Sequence, residues 1–125
     1  MRLLVDTQIL LWLLGDPGRL SAHQSQALAD GGNEVLVSVA SIWEIAIKVG
    51  LGKLQIPLSD FPAKLEAVGM EVLPIALPHA LAAASMPRHH GDPFDRMIIA
   101  QARIEGLIIV TADRQFARYD VPMFE

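Results

Sequence analysis

Four acidic residues lie where a sheet protein places reactive side chains. Asp6 and Asp113 come just after apolar segments that we predict as buried strands, and Glu44 lies one turn into the helix that follows a third such segment. Asp95 lies at the start of the helix that leads into the strand before Asp113. Because ligands of open α/β sheets bind outside the carboxyl ends of the strands, we expect Asp6, Glu44 and Asp113 to lie near one site. The pattern alone does not fix how deep in that site Asp95 lies.

Metal binding is the chemistry that such a site would perform. Carboxylates brought together repel one another strongly unless cations are present, and Asp6 lies in the apolar block LLVDTQILLWLL, where an unpaired buried charge would be costly. Carboxylate oxygens suit Mg²⁺ or Mn²⁺. Zinc is disfavoured, since the chain has no cysteine and its four histidines show no ligand spacing. The acids therefore predict a Mg²⁺ or Mn²⁺ site.

Each acid also has an ordinary structural explanation. Asp6 could be the N-cap of the first helix, and Asp113 could cap a short helix or form an Asx-turn. Glu44 has Lys48 four residues later, in the orientation that favours an ion pair on a helix surface. The residue types alone leave structural and chemical roles open.

The segment HHGDPFDRMIIAQA, residues 89–102, contains two acids with different expected roles. Asp92 precedes Pro93, and a proline at the first helical position makes the preceding residue the N-cap. Asp95 lies one turn further in, where the helix dipole favours a negative charge. We expect the two adjacent histidines to lie in a loop. Asp92 is therefore assigned to capping, and Asp95 is kept as the site residue.

Strands and helices are predicted to alternate along the chain. Short apolar runs indicate strands at residues 3–5, 35–37, 72–75, 107–110 and 121–124. Helical periodicity and capping residues indicate helices at residues 9–14, 21–30, 41–49, 59–68, 78–86 and 93–105, with one helical turn at 113–118. Pro74 places its strand toward an edge of the sheet. This order predicts a mainly parallel sheet covered by helices on both faces.

The composition favours a folded protein with a substantial core. The chain has 125 residues, of which 52% are hydrophobic and 19% charged, so disorder is disfavoured and one domain spanning residues 1–125 is expected. The absence of cysteine fits a reducing cytoplasm. Asp6 and Gln8 interrupt the N-terminal apolar run, which argues against a secretory signal. No run approaches the ~20 apolar residues of a membrane span, so we expect a cytoplasmic protein.

Four segments of the chain form an ordered set: LLVDTQILLWLL, SVASIWEIAIKVGLGKL, HHGDPFDRMIIAQA and IIVTADRQF. Together they resemble the PIN-domain family, and within it the VapC-type toxins of bacterial toxin–antitoxin pairs. Each segment is weak alone, whereas the ordered combination is specific and covers essentially the whole chain. The resemblance implies a PIN-like three-layer α/β/α sandwich with a mainly parallel central sheet.

The same resemblance implies a metal-dependent endoribonuclease that uses Mg²⁺ or Mn²⁺. It places the family's four carboxylates, as catalytic residues and metal ligands, at Asp6, Glu44, Asp95 and Asp113. Thr7 and Thr111 fall where the family has small hydroxyl residues beside the site. The partners implied are an RNA substrate, a cognate VapB-type antitoxin protein and a second copy in a homodimer.

Apolar residues on the early helices are candidate partner contacts. Leu11, Trp12 and Leu14 would suit a partner helix or a homodimer contact if they are exposed. Core packing is the alternative for each of them.

The net charge of −4 does not exclude a nucleic-acid partner. The four proposed site acids account for this charge, which leaves the rest of the chain formally neutral. Five cations lie near the motifs in sequence and are candidate phosphate contacts: Lys48, Lys53, Arg88, Arg96 and Arg114. A solvated surface position is the alternative for each of them.

Other functions fit part of the pattern. A receiver-like phosphoacceptor signalling domain has similar elements, but it needs an acidic pair after the first strand and a lysine after a late strand, and this chain has Asp6-Thr7 and VTADRQF there. A phosphatase with an Asp-x-Asp nucleophile is disfavoured because Gln8 stands at the second acidic position. A PIN-like fold that acts only as a binding module is the third alternative, and the four intact acids argue against it.

Overall fold

The computed structural model describes residues 1–87 and 91–124 and builds them around a sheet of five strands. Their order across the sheet is β3-β2-β1-β4-β5, and every neighbouring pair is parallel. The carboxyl ends of the strands consequently lie at one end of the sheet. The strands are β1 (Arg2–Val5), β2 (Glu34–Ser38), β3 (Glu71–Leu73), β4 (Ile108–Val110) and β5 (Met123–Phe124).

Parallel strands need long crossover connections, and helices provide them. Within the described residues these are α1 (Thr7–Gly15), α2 (Ala22–Ala29), α3 (Val39–Gly50), α4 (Phe61–Ala67), α5 (Leu77–Ser85) and α6 (Pro93–Glu105). Two short 3₁₀ turns, Pro17–Arg19 and Arg114–Arg118, follow α1 and β4. No helix in the part of the chain that the structure describes is long and apolar enough to cross a membrane.

Two apolar clusters pack on opposite faces of the sheet. Because side chains alternate along a strand, Leu3 and Val5 of β1 join one cluster and Leu4 joins the other. Helices α1 to α4 supply side chains to the first cluster, and α5 and α6 border or supply the second. The predicted three-layer α/β/α sandwich is therefore confirmed, with a sheet that is parallel throughout its described strands.

The predicted elements are present, and most differ from their predicted bounds only at their ends. Helix 93–105 is reproduced, and Gly106 ends it in the left-handed region at φ 67°. The prediction that Ser41 begins the third helix is wrong. The Ser38 hydroxyl accepts a hydrogen bond from the Ala40 N–H at 3.0 Å, so Ser38 is the cap and Ser41 lies inside α3.

The third strand also departs from its prediction. It spans Glu71–Leu73 rather than residues 72–75, so Pro74 follows the strand instead of lying within it. Proline cannot donate a backbone hydrogen bond to a neighbouring strand, which explains why the strand ends before it. The strand lies at an edge of the sheet, as Pro74 predicts.

Candidate active site

The predicted acids line one cavity at the carboxyl ends of β1 and β4. Asp6 follows β1, Glu44 lies on α3, Asp95 lies on α6 and Asp113 follows β4, so four separate parts of the fold contribute. The cavity has a volume of about 330 Å³. Asp92 also lines it, which makes it strongly acidic. We refer to it below as the acid cavity.

Asp6 is buried and held by two hydrogen bonds. Its Oδ1 accepts from the Ile9 N–H at 2.8 Å, which caps α1, and its Oδ2 accepts from the Thr111 hydroxyl at 2.5 Å. Burial raises the pKa of Asp6 to about 6; these two bonds oppose the rise, and the charges of Asp113 and Glu44 add to it. The capping role is thus confirmed, and because each carboxylate oxygen has two lone pairs, it leaves Asp6 able to bind a cation.

The two acids at the start of α6 have the distinct positions predicted for them. Asp92 Oδ1 accepts from the N–H groups of Phe94 at 2.9 Å and Asp95 at 3.2 Å, so Asp92 is the N-cap. Burial, and after it the charges of Asp92, Asp6, Glu44 and Asp113 in that order, together raise the pKa of Asp95 to about 8. Without a cation, the acid cavity therefore holds a proton on Asp95 at neutral pH.

Glu44 is buried beside the acid cavity with one oxygen paired and the other unpaired. Its Oε2 accepts from Lys48 Nζ at 2.8 Å, which confirms the predicted ion pair. Its Oε1 is buried and has no hydrogen-bond partner among the described residues. Buried polar atoms rarely lack a partner, so this oxygen marks a position where a ligand or water is expected.

The two threonines beside the site have different contacts. The Thr111 hydroxyl donates to Asp6 and accepts from the Asp113 N–H at 3.0 Å, so it joins two of the acids. The Thr7 hydroxyl donates to Ser41 Oγ at 2.9 Å, which ties α1 to α3. Thr111 is therefore positioned to orient an acid directly, whereas Thr7 supports the helices that carry Asp6 and Glu44.

The last predicted acid, Asp113, is exposed at the rim of the acid cavity. Its Oδ1 accepts from the Gln115 N–H at 2.9 Å and caps the 3₁₀ turn, as the structural explanation predicts. Its side chain still lines the cavity, and its charge contributes to the raised pKa values of Asp6 and Asp95.

The prediction that Arg96 contacts phosphate is wrong. Arg96 is buried, and its guanidinium donates to the carbonyl oxygens of Ala83 and Met86 at 2.8 Å and of Pro87 at 2.9 Å. These are the carbonyls at the C-terminal end of α5, where the helix dipole favours a cation. Arg96 is therefore a capping residue that joins α5 to α6.

The other candidate cations have different positions. Lys48 lines the acid cavity, Arg114 is exposed and lines a neighbouring cavity, and Lys53 lines neither. Arg88 lies outside the described residues, as do His89 and His90. Of the described candidates, Lys48 and Arg114 are placed where they could meet a phosphate.

Some residues around the site were not predicted as part of it. Leu11 and Trp12 line the acid cavity, and with Leu14 they are half-buried and pack against the apolar core, as the core-packing alternative predicts. Trp43 and Phe94 pack edge to face, with ring centroids 5.6 Å apart. Each of these two precedes a site acid in sequence, but nothing in the sequence indicates that α3 and α6 bring them together.

The donors around the acid cavity fit a divalent cation. They are carboxylates, one of their oxygens is buried and unpaired, and burial and mutual repulsion have raised two of their pKa values. Among residues 1–87 and 91–124, no three His, Asp or Glu side chains are already close enough to hold one ion. The acids line a wall rather than meeting at a point, so binding would have to draw their side chains together.

Comparison with known proteins identifies the family. The sequence pattern of the PIN domain matches residues 3–122. Ribonuclease VapC22 of Mycobacterium tuberculosis is 31% identical over 122 residues, which cover 95% of this chain and 92% of the relative. Two solved structures share the fold across nearly their whole length. They are VapBC2 of Rickettsia felis bound to a promoter DNA fragment (TM-score 0.73, 16% identity, 99% of this chain and 98% of that one) and VapBC-1 of nontypeable Haemophilus influenzae (TM-score 0.69, 20% identity, 100% and 98%). The chain therefore belongs to the PIN-domain family, among its VapC-type members.

Proposed function

We propose that this chain is a Mg²⁺- or Mn²⁺-dependent endoribonuclease of the VapC type, a toxin that a cognate VapB-type antitoxin neutralises. The observation that carries the proposal is the acid cavity, which carboxylates from four parts of the fold line at the carboxyl ends of parallel strands. The ribonuclease relative and the VapBC structures support it. We also propose that residues 1–125 form one domain and that the protein acts in the cytoplasm, where it would encounter its RNA substrate.

Asp6 and Asp95 would hold the ion directly, and Glu44 and Asp113 would complete its shell directly or through water. One or two bound ions would lower the pKa of a water molecule and stabilise charge on the phosphate. Thr111 holds Asp6 in one orientation, and the unpaired Oε1 of Glu44 is available as an acceptor.

RNA hydrolysis requires attack of a water oxygen on phosphorus and cleavage of the bond from phosphorus to the leaving ribose oxygen. The water must lose a proton as it attacks, and the carboxylates of the acid cavity are the groups that can receive it. Lys48, whose side chain is partly exposed beside Glu44, can contact the negatively charged phosphate.

Metal-dependent cleavage of total RNA, with the cut sites mapped, tests the proposal. We expect the purified chain to cleave RNA with Mg²⁺ or Mn²⁺, and EDTA to stop the cleavage. Asp6→Asn and Asp95→Asn should abolish cleavage without unfolding the chain. The control is Asp60→Asn, which replaces an acid outside the cavity and should leave cleavage unchanged. RNA binding without cleavage under all metal conditions would instead favour a binding module.

We propose that a second copy of this chain covers α3. Every fourth residue along this helix and its C-cap is apolar and exposed, and the stripe comprises Val39, Trp43, Ile47 and Leu51. Trp43 and Leu51 are 61% and 65% exposed, which is costly for side chains of this size in water. Sedimentation velocity should show a dimer that Ile47→Glu converts to monomer, while Val68→Glu, an exposed apolar residue after α4, leaves the dimer intact.

The antitoxin partner is proposed from the VapBC structures that share this fold. A cognate antitoxin should suppress RNA cleavage at about one antitoxin per toxin chain. Titration of a candidate antitoxin into the cleavage assay tests this directly. Cleavage that persists at saturating antitoxin would contradict neutralisation by that partner.

A further inference from the structure

A second cavity opens beside the acid cavity, and the two share a wall formed by Ala112 and Asp113. It has a volume of about 670 Å³, within the range of about 300–1,000 Å³ of typical ligand sites. We call it the neighbouring cavity. Its remaining lining comprises Ser21, Gln24, Thr111, Arg114, Ala117 and Met123.

The two cavities differ in charge. Among the described residues, five acids and one lysine line the acid cavity, whereas one acid, Asp113, and one cation, Arg114, line the neighbouring cavity. A phosphate can therefore enter the neighbouring cavity without facing a cluster of carboxylates. Its walls also combine hydroxyl and amide groups with the apolar surfaces of Ala117 and Met123, a mixture that suits a ribose and a base.

The turn that carries Arg114 is anchored at its start and at its middle. Asp113 caps it, and the buried Phe116 fixes it to the core, so the backbone of Arg114 is held at the rim of the cavity. Thr111 connects the two cavities, because it lines the neighbouring cavity and donates to Asp6 in the acid cavity. A ligand spanning both would pass over Asp113.

We propose that the neighbouring cavity binds the nucleotide next to the scissile phosphate, with Arg114 contacting the phosphate of that nucleotide. The inference rests on the proposed ribonuclease function and adds a place for the substrate strand. RNA is a continuous chain, so a phosphate bound in the acid cavity requires space for its neighbours. The arginine guanidinium is a planar donor that matches two phosphate oxygens at once.

Two substitutions test the neighbouring cavity, and neither replaces an acid. Arg114→Ala removes the proposed phosphate contact, and Ala117→Phe fills the cavity with a side chain from its exposed rim. Lys64→Ala is the matched control for loss of one positive charge. Ala63→Phe is the matched control for added volume at an exposed alanine, and both controls lie on α4, away from the two cavities.

The cleavage arm uses an oligoribonucleotide with a mapped cut site and versions shortened one nucleotide at a time from either end. Removing the adjacent nucleotide on one side of the cut should raise the KM of the wild-type chain by about tenfold. Arg114→Ala and Ala117→Phe should raise the KM for the full substrate by a similar factor with little change in kcat. For these two variants, removal of the adjacent nucleotide should not raise the KM again. Variants that keep the wild-type response would overturn the proposal.

The binding arm separates this inference from the proposed activity. It measures the fluorescence anisotropy of labelled RNA hexanucleotides of random sequence in the presence of Mg²⁺, with Asp95→Asn added to every chain, wild type included, so that the probe stays intact. Weaker binding by Arg114→Ala and Ala117→Phe, but not by their controls, supports the nucleotide site even if wild-type protein fails to cleave RNA. Equal binding by wild type and all four variants, or no binding by wild type, counts against the site.

Discussion

The hydroxyl of Thr111 donates a hydrogen bond to the carboxylate of Asp6, although the two residues are 105 positions apart in sequence. The strand register explains this proximity. Val5 pairs with Val110, and the residues that follow them are Asp6 and Thr111. The backbone N–H of Asp6 also donates to the Val110 carbonyl at 3.1 Å, which extends the pairing into the site. One acid of the cavity is thus positioned by the sheet itself.

Replacement of Thr111 by valine should weaken metal-dependent activity. Valine has nearly the same shape but cannot donate a hydrogen bond, so Asp6 would lose the contact that orients it and favours its charged form. Loss of such a supporting contact costs about 10–100-fold in metal affinity or activity. A Mg²⁺ titration of the cleavage rate measures the effect. Thr7→Val, which loses a bond to Ser41 rather than to an acid, should change the titration less; equal effects would contradict the special role of Thr111.

Asp95 and Asp92 should respond differently to substitution in the absence of metal. Asp95→Asn removes a carboxyl group whose ionisation is opposed by burial and by four other acids, so it should raise the melting temperature by several degrees while abolishing cleavage. Asp92→Ala removes the cap of α6 and should be less stable than Asp92→Asn, which keeps a capping acceptor, by about 1 kcal/mol. Thermal denaturation in EDTA checks both effects. A drop in stability for Asp95→Asn would indicate that Asp95 has a structural role instead.

Stability without metal should fall as the pH rises. In the unfolded chain Asp95 loses its proton near pH 3.8, whereas in the folded chain its pKa is about 8. Between these values the folded state binds more protons, so the free energy of unfolding decreases with increasing pH, and the decrease is complete once the pH exceeds about 8. Asp6 contributes in the same direction up to its pKa of about 6.

Unfolding curves in EDTA across this pH range measure that dependence. Mg²⁺ should restore stability most at high pH, because it binds the deprotonated acids. Asp95→Asn should flatten the curve, and Asp60→Asn should leave it unchanged. A stability that rises with pH in EDTA would show that the acids are less crowded than the structure indicates.

The strand ends explain why the acids could be predicted from the sequence. Asp6, Glu44 and Asp113 each follow a short apolar run, and parallel strands place such residues at the same end of a sheet. Capping rules separated Asp92 from Asp95 because a proline marks the first position of the helix. These features depend on local sequence and on one topological rule, and the structure confirms them.

Features that depend on packing between distant segments could not be predicted. Arg96 follows a site acid in sequence and resembles a phosphate contact there, yet its position is set by the end of α5, ten or more residues earlier. The neighbouring cavity needs Ser21 and Arg114 on facing elements, and no spacing in the sequence indicates that they meet. Ser38 and Ser41 are equally plausible caps by type, and only the end of β2 decides between them.

Lys48 should contribute to RNA binding through its charge. It lies on the wall of the acid cavity and pairs with Glu44, and it is the one cation among the described residues that line this cavity. Lys48→Gln should raise KM and lower the slope of log affinity against log salt concentration by about one, as expected for one lost phosphate contact. Lys64→Gln should leave the slope unchanged. A fall in kcat with unchanged KM and slope would indicate that Lys48 only orients Glu44.

Arg96 should stabilise the fold without contacting RNA. Its guanidinium satisfies three carbonyl groups at the end of α5, and its removal would leave them without this donor, the Met86 carbonyl in a buried position. Arg96→Ala should lower the free energy of unfolding by about 3 kcal/mol, and Arg96→Lys should recover little because a single ammonium cannot span three carbonyls. Arg103→Ala, on the same helix but exposed and with one bond to the Asp120 carbonyl, should cost less. Denaturant unfolding measures these differences. The salt dependence of RNA binding by folded Arg96→Ala should equal that of wild type. A smaller slope of log affinity against log salt concentration, together with unchanged stability, would indicate that Arg96 contacts phosphate.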